Sequence, residues 1–133
     1  MTLVVDASVV AASLIDQAEH GAWSEQIVRS DDLAAPHFLH AEVAHALRRW
    51  ISTGLLSEDA AARAYGDLLT LRIELFPYHS FAFRIWELRH NVTPYDAWYV
   101  ALAESLDMPL ATLDRRLAQA TGPRCRFVTP PLA

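Results

Sequence analysis

Short apolar runs of β type alternate with helical patterns along nearly the whole chain, and this alternation narrows the fold more than any other feature. Leu3-Val4-Val5 ends at Asp6, and a helical pattern follows; Gly21 separates it from a second helix ending near Ser30. Leu33-Ala34-Ala35-Pro36 reads as the next strand. Phe38, Leu39, Val43, Ala46, Leu47, Trp50 and Ile51 then mark one stripe of an amphipathic helix that Gly54 stops. Ser57-Glu58-Asp59 opens a helix to about Thr70, and Ile73-Glu74-Leu75-Phe76 alternates as a strand that Pro77 ends. Helices from about Phe81 to His90 and from Pro94 to Asp107 follow. Leu110-Ala111-Thr112 is a strand, Arg115 opens a short helix, and Arg126-Phe127-Val128 is the last strand. Such alternation predicts a mainly parallel sheet covered on both faces, a three-layer α/β/α protein. The 133 residues show no repeat or linker, so residues 1–133 are expected to form a single domain.

Composition excludes several chemistries. All eleven basic residues are Arg, which rules out a catalytic lysine. The single Cys125 makes neither an internal disulfide nor a thiolate metal cluster, and a reducing, cytoplasmic compartment is expected. "MTLVVDASVV" has no basic leader and carries Asp6 inside its apolar run, so it suits neither a signal peptide nor a membrane span. The net charge of −5 argues against a broadly basic surface for nucleic acid. Small groups such as Arg48-Arg49 and Arg115-Arg116 leave room for a local basic patch.

The acids fall in a pattern. Asp6 ends the first strand, Asp114 follows the strand at Leu110, and Glu42 lies early in the helix after the second strand. Asp96 sits in the first turn of a helix leading directly into a strand, so that helix must start at the sheet's carboxyl edge. All four acids therefore tend towards the edge where open α/β sheets bind ligands. Each also has a plain structural use. Asp6 and Asp114 suit helix N-caps; Thr93-Pro94-Tyr95-Asp96 suits a capped start with Asp96 in the first turn. Tyr95, Trp98, Tyr99 and Leu102 read as the apolar stripe of that helix. Glu42 is harder to explain, because it lies near an apolar stripe with no Arg beside it. Like-charged acids in one place raise one another's pKa, and a cation bound between them relieves the repulsion.

Oxygen donors alone suit Mg²⁺ or Mn²⁺. Zinc does not fit, since His40 and His45 are five residues apart in "HAEVAH" and diverge on a helix. Asp6-Ala7-Ser8 stands where a glycine-rich nucleotide loop or a D-x-D phosphatase motif would begin. The Ser8 hydroxyl is read as a partner orienting Asp6 or a metal-bound water, or as a helix cap.

"VVDASVV", "HAEVAHALRR" and "TPYDAWYVALAESLDMPLATLDRRL" together resemble the successive motifs of PIN-domain nucleases, and most closely the small VapC-type toxins of toxin–antitoxin pairs. The resemblance covers essentially the whole chain. It implies a PIN-like fold with Asp6, Glu42, Asp96 and Asp114 as the acidic, metal-binding and catalytic quartet. Thr112 matches the Thr of the T-x-D motif, and Ser8 the small polar position after the first acid. It further implies an Mg²⁺- or Mn²⁺-dependent endoribonuclease acting on RNA, a homodimer, and a cognate VapB-type antitoxin as partner. Leaving out the four acids brings the charge of −5 to −1, which eases the mismatch with an RNA substrate. The rival readings are a housekeeping PIN nuclease of RNA processing and a non-catalytic PIN domain that binds RNA or protein. The second should have lost acids, and none is missing. Large apolar residues such as Trp50, Ile51, Phe81, Phe83 and Trp86 are expected to leave surface for a dimer contact and an antitoxin groove.

Overall fold

A computed structural model describes residues 2–15, 18–30 and 32–132. Five parallel strands, β1 (Thr2–Val5), β2 (Asp32–Pro36), β3 (Ile73–Phe76), β4 (Leu110–Ala111) and β5 (Phe127–Val128), form one sheet in the order β3-β2-β1-β4-β5. β1 lies at its centre with Leu3, Val4 and Val5 buried, as a continuous apolar run demands when both faces are covered. β2 keeps its place despite its alanines: Leu33, Ala34 and Ala35 are buried, paired to β1 on one side and β3 on the other.

From β1 the chain steps to β2 and then β3, carrying α1 (Ala7–Ser13), α2 (Gly21–Ser30), α3 (Leu39–Ser52) and α4 (Glu58–Thr70). It then crosses back from β3 to β4 through α5 (Ala82–Glu87) and α6 (Pro94–Leu106). Right-handed crossovers in opposite directions put α1–α4 on one face of the sheet and α5–α6 on the other. The result is the expected α/β/α sandwich. α7 (Arg115–Ala118) joins β4 to β5.

Gly21 begins α2 and does not merely separate two helices. A Cβ there would meet the Ile15 carbonyl oxygen at 2.9 Å, so only glycine lets the α2 start approach the end of α1 this closely. The helix expected from Phe81 to His90 is shorter: a 3-10 turn over His79–Phe81 precedes α5, which ends at Glu87. α6 also departs from a one-sided stripe. Ala97 and every residue from Tyr99 to Ala103 are buried, whereas Tyr95 is 62% exposed. A helix of small and apolar residues packed on most sides is a core helix, not an amphipathic one.

Arg84 of α5 clasps this layer. Its Nε donates to Glu104 Oε1 at 2.7 Å and its Nη2 to Glu104 Oε2 at 3.1 Å, a two-pronged pair, and Nη2 also reaches the Gly122 carbonyl at 2.9 Å. The Arg124 backbone N–H adds a bond to Glu104 at 2.7 Å, and together these partners hold the Glu104 carboxyl below its ordinary pKa against the opposing effect of burial. Among the described residues no helix is long and apolar enough to cross a membrane.

Candidate active site

β1 and β4 are neighbours whose connections leave in opposite directions, which makes their carboxyl ends the switch point of the sheet. Asp6 is the first residue after β1, and it caps α1: its Oδ1 accepts the Val9 N–H at 3.2 Å. The Ser8 hydroxyl donates to the same oxygen at 2.5 Å, and the Thr112 hydroxyl, just past β4, donates to Oδ2. A further bond stitches the β4 loop to this turn, from Leu113 N–H to Ser8 Oγ at 3.1 Å, and within the loop Asp114 N–H donates to Thr112 Oγ1 at 3.0 Å. Ser8 therefore orients Asp6, while Asp6 itself does the capping. Three donors use three of the roughly four acceptor positions of the carboxylate, leaving about one.

Burial dominates at Asp6. It raises the pKa to about 6, outweighing the hydrogen bonds from Ser8, Thr112 and Val9, and the Asp96 charge pushes the same way. Asp96 stands in the first turn of α6, behind Thr93, whose Oγ1 caps the helix by accepting the Asp96 N–H at 3.2 Å. Burial raises its pKa, and the charge of Asp114 raises it further. Glu42, in the first turn of α3, is raised by burial and by Asp96, with the Tyr99 hydroxyl and His45 opposing. Asp96 is thus the electrostatic hub: its charge is felt at Asp6 and at Glu42, and it feels that of Asp114.

Asp114 caps α7, its Oδ1 accepting from Arg116 N–H at 2.9 Å and Leu117 N–H at 3.2 Å. Four like charges repel, and the side chains keep some distance. Among the described residues no three His, Cys, Asp or Glu side chains are gathered as tightly as an ion's ligands. The donor set nevertheless fits a hard divalent cation: all oxygen, mutually repelling, and with a spare acceptor position on the buried Asp6.

Sequence reasoning missed Tyr99 as part of this group, taking it for core alone. The ring is buried, but its hydroxyl donates to Glu42 Oε1 at 2.8 Å. The available signal was chemical: a buried tyrosine needs a partner for its hydroxyl, and Glu42 needed a donor.

A cleft of about 830 Å³ opens beside the acids, with Ser8, Glu42 and Asp114 at one part of its wall. Ala11, Ala12, Ala46, Trp50 and Leu55 give it an apolar lining; His20, His45, Arg49, Arg115 and Arg116 give it a basic one. Arg84, by contrast, is engaged in its clasp. Of the apolar residues expected at the surface, Phe83 and Trp86 are 92% and 66% exposed, while Trp50, Ile51 and Phe81 pack partly against the core.

Known proteins with the same organisation were found by sequence and by structure. Residues 3–123 match the family described as PIN domain. Ribonuclease VapC1 of Mycobacterium tuberculosis is 42% identical over 125 residues, covering 93% of this chain and 94% of the relative. Among solved structures, PAE2754 from Pyrobaculum aerophilum superposes with a TM-score of 0.69 at 24% identity, covering 96% of this chain and 83% of that one. VapBC2 from Rickettsia felis, solved bound to a DNA fragment from its promoter, gives a TM-score of 0.66 at 13% identity over 97% of this chain and 98% of that one. A family match from residue 3 to residue 123, a span that holds four of the five strands, together with a relative at this identity, means that the chain belongs to the PIN-domain family, in its VapC-type branch.

Proposed function

We propose that this chain is an Mg²⁺- or Mn²⁺-dependent endoribonuclease, the toxin of a toxin–antitoxin pair, with Asp6, Glu42, Asp96 and Asp114 as its working acids. The observation that carries the reading is the placement of the acids at the sheet's switch point, Asp6 and Asp114 after the neighbouring strands β1 and β4, with Asp96 near enough for its charge to be felt at Asp6 and Glu42. Relatives named as ribonucleases, of which VapC1 is one, support the reaction class.

A bound Mg²⁺ or Mn²⁺ supplies an activated water and neutralises charge on the scissile phosphate. The chain's residues do the rest. Ser8 and Thr112 hold the Asp6 carboxylate in one orientation, which fixes where a ligand oxygen stands. Glu42, whose pKa burial raises and whose Oε1 is held by the Tyr99 hydroxyl, would accept the proton of the attacking water. The water oxygen bonds to phosphorus and the bond to O3′ breaks, leaving a 5′-phosphate and a 3′-hydroxyl. Arg49 and Arg116 on the cleft wall are placed to meet neighbouring phosphates.

The same cleft suits the antitoxin. Its apolar floor fits the anchors of a helix or extended segment, and the acids at its wall fit a basic side chain at the segment's end. The exposed Phe83 and Trp86 of α5 are the apolar surface for a homodimer contact. The purified chain should cleave RNA with Mg²⁺ or Mn²⁺ and stop in excess EDTA. Asp96→Asn should abolish cleavage while keeping the fold. Undiminished cleavage by the folded Asp96→Asn protein would remove the site assignment, and undiminished cleavage in EDTA would remove the metal. Co-expression with the small protein encoded just upstream should give a stable, inactive complex.

A further inference from the structure

Tyr95 is out of character for its helix. Its neighbours further along α6 are buried, yet it is 62% exposed and directly precedes Asp96. It is not loose. Its ring lies 5.4 Å from that of Phe38, which stacks almost parallel on Trp98 at 5.0 Å and touches Tyr99 at 5.5 Å. Tyr78 braces Trp98 edge-on at 5.1 Å. Tyr99 in turn holds Glu42. Two ring contacts and one hydrogen bond therefore separate an exposed, braced tyrosine from a working acid.

Resting on the nuclease reading, we propose that Tyr95, seated on Phe38, is a substrate-positioning residue, the stacking platform for the unpaired base beside the cleaved bond. A phosphate brought to the acids carries its flanking bases with it, and Tyr95 is the exposed flat apolar surface next to Asp96. Every base has a π-face that such a ring accepts, whatever its hydrogen-bonding edge. A tyrosine already fixed by packing loses little side-chain freedom on binding. Bases in a duplex are paired and stacked on one another, so only a loop, bulge or free strand offers a face to this platform. A protein partner is the poorer occupant here, because the ring directly precedes an acid, Asp96, while the larger apolar surface, Phe83 and Trp86, lies on α5.

The test is binding, read separately from cleavage. In the full chain carrying Asp6→Asn, with Mg²⁺ present, affinity is measured for a short unstructured RNA and for a blunt RNA duplex. Adding Tyr95→Ala should weaken the single strand roughly 5- to 160-fold, the range for loss of one stacked base, and leave the duplex unchanged. Tyr95→Phe should bind as the parent does. Thermal melts check that Tyr95→Ala remains folded, as its exposure implies. Equal affinity of the Ala variant for the single strand overturns the proposal, as does an equal loss for both RNAs. A change confined to oligomeric state assigns the ring to a second copy of the chain and overturns it too. Single-strand binding that depends on Tyr95 in a protein that never cleaves RNA leaves the platform standing and removes the nuclease reading. Cleavage with unchanged KM in Tyr95→Ala does the reverse.

Discussion

Tyr99 on α6 donates its hydroxyl proton to Glu42 Oε1 on α3 at 2.8 Å, joining the two helical layers across the carboxyl edge of the sheet. The bond favours the charged form of Glu42 and opposes the effect of its burial. Tyr99→Phe keeps the ring and removes the donor. It should cost about 1–2 kcal/mol in urea unfolding near neutral pH, the usual loss when a buried acceptor is left short. It should also raise the Glu42 pKa, moving the acid limb of the kcat/KM profile to higher pH. A profile that does not move would take Glu42 out of proton transfer.

Asp6 makes the fold pH-sensitive in a direction opposite to most surface acids. Its pKa is 3.8 when unperturbed and about 6 in the folded chain, because burial favours the neutral acid. Its contribution to stability is therefore complete below the unfolded value and is lost as pH rises through about 6. The shift corresponds to about 3 kcal/mol. Without added metal, Asp6→Asn should be more stable than the parent above about pH 7, with the gap closing near pH 4. Denaturation midpoints at the two pH values decide this; a parent that is the more stable at the higher pH would contradict the burial argument.

Divalent cation should recover what ionised Asp6 loses. A ligand binding only the folded chain stabilises it by about 2.7 kcal/mol at a hundred times its Kd. The Tm of the parent should climb with Mg²⁺ or Mn²⁺ and fall back in EDTA. Asp6→Asn and Asp96→Asn should flatten the response. Calorimetric scans with and without cation measure it directly, free of any question of substrate.

Arg84 and Arg49 should separate structure from binding. Arg84→Ala breaks the two-pronged bond to Glu104 and frees the Gly122 carbonyl, and should cost about 2 kcal/mol of stability because Glu104 is left largely buried. Its effect on RNA affinity should be small. Arg49→Ala, on the open cleft wall, should hardly change the Tm. It should weaken RNA binding and lower the slope of log affinity against log salt by about 0.7, the share of one phosphate contact on a single strand. The opposite pattern would exchange the two roles.

The layered sheet was legible because strands buried on both faces must be continuous apolar runs, and Leu3-Val4-Val5 is one. The position of Asp96 followed from geometry as well: a helix feeding a parallel strand over a short loop has to begin at the carboxyl edge. What stayed hidden were relationships between distant residues. Periodicity put Tyr95 and Tyr99 on one stripe, yet Tyr95 is exposed in the first turn while Tyr99, one turn further into the core, is buried and bonded to Glu42. Arg84 looked like any dispersed arginine because its partners, Glu104 and Gly122, lie 20 and 38 positions away.

The bond between Thr112 and Asp6 spans 106 positions of the chain. On a ribosome, Asp6, Glu42 and Asp96 are all made before Thr112, but β1 still lacks the neighbour that completes the middle of the sheet. Until β4 emerges and pairs, nothing fixes the second oxygen of Asp6, and the β1–α1 turn lacks the Leu113–Ser8 bond that ties it to the loop. Such long-range parallel pairing is also a slow step in folding. A growing chain is therefore without an assembled acidic site until Thr112 and β4 have emerged, however early Asp6, Glu42 and Asp96 were made.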